Sequence, residues 1–325
     1  MKIKKITMSI STGKNPNEIN LKDGYADFIR AKKAKNLSDD SLISYDNVFK
    51  GFCAVIPDDT LCSSVRIEHF YYFIEAKKEN NPNISDRSIE TYMRHLRAIF
   101  YFFMEKGYMN PYKIEMPKYD EESKDPFSDE DIARLLKKPN IEKAKFTDYR
   151  NWVICCFFLG SGIRQNTLCN IKIGNLDFEN KIIRLSTVKN RRSYNIPMSL
   201  ELADILTEYL AYRKGDSNDF LFCNVYCDQL KRSAIKTAMV RYSKARGVEQ
   251  HGTHIYRHTF AKYFVLGGGS LTELQEVLGH CSIEMARHYV KLYSKDLQKD
   301  FEKRNPLDVN ASLTKEKKLI KIRKP

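Results

Sequence analysis

Six side chains of this 325-residue sequence are of the types that could together grip and attack a phosphate ester: Arg164, Lys189, His254, Arg257, His280 and Tyr289. Arg164 follows Ser161-Gly162-Ile163, where glycine lets backbone approach a ligand closely, and its guanidinium can fork onto two phosphate oxygens. Lys189 opens a polar turn, 189–192, that also holds Arg191 and Arg192. A lysine there can contact phosphate or, with a lowered pKa, protonate a departing oxygen. His254 and Arg257 form H-x-x-R, and residues three apart share a helix face. His280 comes straight after a helix-ending Leu278-Gly279, and Tyr289 lies nine residues further on. Each alone has an ordinary structural role: a helix-capping arginine, a surface lysine, a core or rim tyrosine. His258 stands one turn beyond His254, but no glutamate completes an H-E-x-x-H zinc pattern. Cys223 and Cys227 make a C-x-x-x-C that no second pair answers at zinc-ligand spacing, so no metal site is expected.

These residues need elements to position them. From 21 to 110 the pattern is helical. Leu42, Tyr45, Val48, Phe49 and Phe52 recur at helix spacing, as do Ile89, Tyr92, Met93, Leu96, Ile99, Phe100 and Phe103. Arg87, Arg94 and Arg97 fall on the opposite face of the second of these helices. Residues 111–126 hold three prolines and a run of mixed charge, and read as a linker. A helix then starts at Ser128, with Asp131 in a capping-box position and Phe127 and Ile132 placed as a hydrophobic staple. A buried helix is expected over 149–159, broken at Gly160-Ser161-Gly162. Strand-like segments follow at 171–178, 181–185 and 193–198, the last two reading as a hairpin around 189–192. Helices are expected over 200–213, 230–246, 254–266, 271–278 and 283–293. The domain reading is therefore a loose segment 1–20, a helical domain 21–110, a linker 111–126, a catalytic domain 127–295 and a tail 296–325 whose end is basic. The expected fold class is mainly α with a small antiparallel β-sheet.

Composition narrows the partners. Lys and Arg number 55 against 41 Asp and Glu, a net charge of +14 that draws polyanions at long range. Nucleic acid leads and an anionic membrane surface is second. The longest apolar run, 152–159, is eight residues, where a spanning helix needs about 20. No secretory signal is read at the start, so a cytoplasmic location is expected. Cys155, Cys156 and Cys169 lie in or near apolar stretches and read as small buried hydrophobes.

In order and spacing, Arg164, Lys189, His254-x-x-Arg257, His280 and Tyr289 resemble the active site of the tyrosine recombinase (phage integrase) family. The surrounding text agrees: GSGIR, TVKNRRSYNIPM, THIYRHTFA and LQEVLGHCSIEMARHYVKLY. The stretch from LSDDSLISYDNVFKGFC to SIETYMRHLRAIFYFFMEKGYMNP looks like that family's helical core-binding (SAM-like) domain. The likeness covers about 21–300, and the layout is that of the two-domain Xer-like and mobile-element enzymes. One position departs. The family usually carries an acidic residue three positions after the first arginine, and here it is Thr167. That leaves open how Arg164 is held, although a hydroxyl can also accept a hydrogen bond.

The resemblance implies a DNA breaking and rejoining enzyme that uses neither metal nor ATP. Arg164 and Arg257 would clamp the phosphate, and Tyr289 would attack phosphorus to give a covalent 3′-phosphotyrosine. His254 would act as base, Lys189 would protonate the 5′ oxygen, and His280 would hydrogen-bond the phosphate. Partners implied are double-stranded DNA with paired core sites, gripped by both domains, and a homotetramer docked through 296–307. Accessory DNA-bending proteins are also implied. Arg94, Arg97, Arg191 and Arg192 become candidate DNA contacts. Integration or excision of a mobile element is the leading role. The alternatives are Xer-type resolution of chromosome or plasmid dimers, a type IB topoisomerase, a non-catalytic DNA-binding regulator on the same fold, and a metalloenzyme using His254, His258 and the cysteines.

Overall fold

The computed structural model describes residues 18–119, 125–185, 194–250 and 252–279. Lys189, Arg191, Arg192, His280 and Tyr289, the helix expected over 283–293, and the tail 296–325 lie outside the described residues. The chain divides into two compact units, Met1–Ser123 and Lys124–Pro325. Among the described residues no helix is long and apolar enough to cross a membrane.

In the first unit the helices are α1 (Leu21–Ala34), α2 (Asp39–Cys53), α3 (Ile67–Asn80) and α4 (Asp86–Glu105). Helix α4 starts where Ser85 Oγ accepts the Ser88 N–H at 3.2 Å, satisfying a donor the helix itself cannot. Ile89, Met93, Leu96, Ile99, Phe100 and Phe103 recur at three- and four-residue steps and are all buried. They form one apolar stripe. It closes on an aromatic core in which Phe100 meets Phe52 edge-on at 5.2 Å and Phe70 at 4.9 Å.

Two segments read as loose are tied down here. Ile19 is buried, its carbonyl accepts the Cys62 N–H at 2.8 Å, and Asn20 caps α1 through the Asp23 N–H. Only the residues before 18 in that segment lie outside the description. The early part of the expected linker also packs: Ile114 is 1% exposed, and Tyr112 and Met116 lie against the same core. Apolar side chains between the prolines outweigh the linker-like composition.

The second unit is mainly helical with a small antiparallel sheet. It holds α5 (Asp129–Leu136), α6 (Phe146–Ser161), α7 (Gln165–Cys169), β1 (Leu176–Asp177), β2 (Ile182–Leu185) and β3 (Tyr194–Pro197). Then come α8 (Leu200–Arg213), α9 (Arg232–Ala245), α10 (Thr253–Leu266) and α11 (Leu271–Leu278). Helix α6 is buried at every position from Trp152 to Phe158, and α5, α8, α9 and α10 all pack on it. That explains an apolar run with no polar face. In the sheet, Leu176 pairs with Ile183, Ile183 with Ile196, and Leu185 with Tyr194.

Three local expectations change. Most of 171–178 is not strand. Asn175 Oδ1 accepts the Lys172 N–H at 2.8 Å and closes a 3-10 turn over Ile173–Asn175, leaving two residues to pair in β1. The capping box at Ser128 is half-formed. Ser128 Oγ accepts the Asp131 N–H at 3.1 Å, but the Asp131 carboxylate turns to Arg134. Helix α6 also runs through Gly160 and stops only at Gly162, which takes the left-handed conformation at φ 60°. A β-carbon at Gly162 would sit 2.8 Å from Leu278 Cδ2, besides striking the Phe260 ring. Gly162→Ala is therefore expected to lower unfolding stability by about 2–4 kcal/mol, from backbone strain plus overpacking. Gly107→Ala is the control: its φ is 75° but nothing lies within 4 Å, so only the backbone cost of about 1–2 kcal/mol remains. Denaturant titration of both variants checks the difference.

Candidate active site

The site is built where α6, α10 and α11 end or begin against one another. Gly162 ends α6 with its carbonyl exposed to a neighbour, and Arg257 Nη1 donates to it at 2.7 Å. Arg257 lies on the second turn of α10 and is 2% exposed. Its Nη2 donates to the carbonyl of Leu278, the last residue of α11, at 2.8 Å. Arg164 occupies the N-cap position of α7 in extended conformation. Its Nη1 reaches the same Leu278 carbonyl at 3.3 Å and the Gly279 carbonyl at 3.5 Å.

Two guanidiniums thus meet over one helix C-terminus. The last carbonyls of a helix lack intrahelical donors and carry partial negative charge, which is why cations gather there. Gly279 makes the geometry available by adopting φ 60°, turning the chain out of α11 just before His280. Gathering two like charges over one helix end makes the place attractive to an anion. The Nε and Nη2 groups of Arg164 have no partner among the described residues, which leaves that fork available to such an anion.

His254 opens the first turn of α10 and is exposed, one turn from the buried Arg257. The structure therefore brings Arg164, Arg257 and the His254 turn together. Gln165 ties this turn down. Its Oε1 accepts from Thr253 Oγ1 at 2.9 Å, and its Nε2 donates to the Arg232 carbonyl at the start of α9. Sequence reasoning missed Gln165 and Thr253, since neither residue type announces chemistry. Their only signal was adjacency to Arg164 and His254. Thr167 is half-buried, and no hydrogen bond joins its hydroxyl to Arg164 among the described residues. The carbonyls of Leu278 and Gly279 hold Arg164 instead.

Tyr194 was missed as well. It begins β3 and its ring lies against Gly279: a β-carbon at 279 would fall 2.8 Å from the ring. Burial pushes the phenol's pKa up, while the positive charges of Arg257 and Arg164 pull it down.

Away from this cluster, a cleft of about 810 Å³ opens between α6 and α9, lined by Asp148, Arg150, Arg241, Tyr242 and Arg246 among others. Of the described candidates, Arg164, His254 and Arg257 do not line it. In the first unit, Arg94 is engaged by Glu90: its Nη2 donates to both carboxylate oxygens, at 2.8 and 2.7 Å. Glu90 is buried, so Arg94 neutralises an interior carboxylate and is not a freely available cation. Arg97, one turn on, is half-buried and has no ion pair among the described residues.

Residues 127–296 match the model of the phage integrase family. The chain is 28% identical over 231 residues to the tyrosine recombinase XerC of Thermodesulfovibrio yellowstonii, covering 65% of this chain and 73% of that protein. It is 27% identical over 246 residues to a probable integrase/recombinase of Acholeplasma phage L2, covering 74% and 82%. Among solved structures, the Tn1549 transposon integrase in complex with a circular intermediate DNA superposes with a TM-score of 0.73 at 20% identity, covering 88% of this chain and all of that one. A lambda integrase dimer bound to a core site superposes at 0.67 and 15% identity, covering 95% and 82%. These two likenesses concern the fold. The family match spans more than half the chain, and the chain belongs to the phage integrase family. It is an enzyme of the tyrosine recombinase type.

Proposed function

We propose that this recombinase cuts and rejoins duplex DNA for the integration and excision of a mobile element, through a covalent 3′-phosphotyrosyl intermediate formed by Tyr289. The observation that carries the reading is the pairing of Arg164 and Arg257 over the Leu278 carbonyl, a cationic seat for one phosphodiester. In the first step the Tyr289 oxygen bonds to phosphorus and the bond to the 5′ oxygen breaks. His254 takes the phenolic proton and Lys189 gives one to the departing 5′ oxygen. Free phenol has a pKa of about 10, so the base is needed at neutral pH. His280 hydrogen-bonds the phosphate while the guanidiniums take up the charge that moves onto its non-bridging oxygens. A 5′ hydroxyl from a partner duplex then attacks phosphorus and expels the tyrosine, with the two proton transfers reversed. The bond energy stays in the phosphotyrosine, so the cycle balances without ATP. The chain's own cations supply the charge that transition-state stabilisation requires.

Arg97, Arg191 and Arg192 serve as phosphate or groove contacts in this reading, Arg94 in a lesser part, and the net charge of +14 makes binding fall steeply with salt. The domains are a helical DNA-binding module and a catalytic module, each contributing contacts to the duplex, in the cytoplasm. Tail residues 296–307 dock on a neighbouring copy to build a tetramer on paired sites, with DNA-bending proteins as accessory partners. The phage relative supports the mobile-element role. The XerC and XerD relatives favour a second reading, resolution of chromosome or plasmid dimers. A two-plasmid assay separates them. One plasmid carries the DNA flanking the gene and the other carries the chromosomal dimer-resolution site. Recombination at the gene's own flanks is expected; recombination only at the chromosomal site would replace the first reading with the second. Removal of residues 296–325 is expected to abolish recombination while single-site binding persists, and equal loss of both would remove the docking role.

A further inference from the structure

The phenol of Tyr194 has no function in the chemistry above, yet three observations set it in the same seat. Its hydroxyl oxygen is shielded from solvent and has no hydrogen-bond partner among the described residues. A buried hydroxyl left unpaired costs free energy that folding does not recover, so such a group calls for an explanation. Its ring packs on Gly279, the residue whose carbonyl accepts Arg164 at 3.5 Å. Finally, both Arg164 and Arg257 act electrostatically on the hydroxyl. A phenol holds one donor, and among the described residues this donor meets no acceptor; an anion drawn by the two cations would supply one. The strand also matters. Tyr194 pairs with Leu185 and so is fixed in the sheet.

We propose that Tyr194 Oη donates a hydrogen bond to a non-bridging oxygen of the phosphate seated between Arg164 and Arg257. Tyr194 is then a third binding group of the reaction centre, distinct from the nucleophile Tyr289. The inference rests on the cleavage chemistry proposed above. It involves no covalent step at Tyr194.

Tyr194→Phe keeps the ring against Gly279 and removes only the donor. The probe is the nicked duplex that the full-length chain captures covalently from a randomised pool. Single-turnover cleavage by Tyr194→Phe is expected to be slower by about tenfold to a hundredfold, the usual weight of a hydrogen bond to a charged group, with duplex retention unchanged. Each of the two methylphosphonate diastereomers of that duplex lacks one non-bridging oxygen. On one of them the penalty of Tyr194→Phe is expected to fall below about threefold, because the accepting oxygen is gone. A wild-type cleavage rate in Tyr194→Phe would overturn the proposal, and so would an equal penalty on all three substrates, which a packing role would produce. A Tyr194→Phe chain with a lowered unfolding midpoint and no folded fraction would assign the hydroxyl to structure and overturn it too. If wild-type protein captures no duplex covalently, it is the cleavage chemistry itself that fails. Capture by wild type with no effect of Tyr194→Phe fails this inference alone.

Discussion

Tyr289→Phe is expected to remove covalent capture of DNA entirely, lowering cleavage by at least about 10⁴-fold while the protein still retains its duplex. The substitution deletes one oxygen. That oxygen is the atom that must become bonded to phosphorus, so its loss removes the covalent step itself. Binding, in contrast, is dominated by Lys and Arg contacts to phosphates, of which Tyr289 supplies none. The measurement is a nicked duplex that traps the intermediate, resolved by denaturing gel beside a gel-shift titration. The covalent band should vanish and the shifted band should stay. A covalent band of ordinary strength would mean that another side chain is the nucleophile. Tyr194 would be the first to test, since its ring lies against Gly279, whose carbonyl accepts Arg164.

The second large effect is expected at Arg257. Arg257→Lys should slow single-turnover cleavage by about 10²–10³-fold, the cost of losing one aligned donor to a developing anion, and leave duplex affinity within about threefold. Charge is kept, so the loss comes from shape. The guanidinium already bonds the Gly162 and Leu278 carbonyls at 2.7 and 2.8 Å, and its planar fork can hold those two fixed points and still address a phosphate. An ammonium is a single centre and cannot span carbonyls on two different helix ends. Arg257→Ala should lose as much activity and also some stability, because the Gly162 carbonyl loses this donor and the Leu278 carbonyl keeps only the longer contact from Arg164. Comparing the two variants by cleavage rate and by denaturant midpoint separates these contributions. Equal cleavage by Arg257→Lys and wild type would show that the fork is not used on the phosphate.

Much of this protein is written in local patterns. The stripe from Ile89 to Phe103 specifies α4 and its buried face, because a 3.6-residue period in apolar positions admits one helix orientation. The spans of α8 and α11 follow from caps at Ser199 and Ser270, whose hydroxyls accept the first free N–H groups. The spacing of Arg164, Lys189, His254, Arg257, His280 and Tyr289 carries the family, since six reactive positions in one order are hard to produce by chance. Other features are decided only when distant segments meet. The sequence does not show that Ile114 and Ile19 pack on the helical core, because burial depends on what covers a residue and not on its neighbours in the chain. It marks Arg94 as available, while the fold commits it to the buried Glu90. It leaves the support of Arg164 unresolved at Thr167, and the fold answers with carbonyls 114 and 115 residues away. Tyr194 is one of 19 tyrosines until β3 lays it against Gly279. Residue types and periods determine which helices form and which chemistry is on offer. Three-dimensional closure decides which charges are free to do it, because pairing and desolvation act through space between groups that the chain keeps far apart.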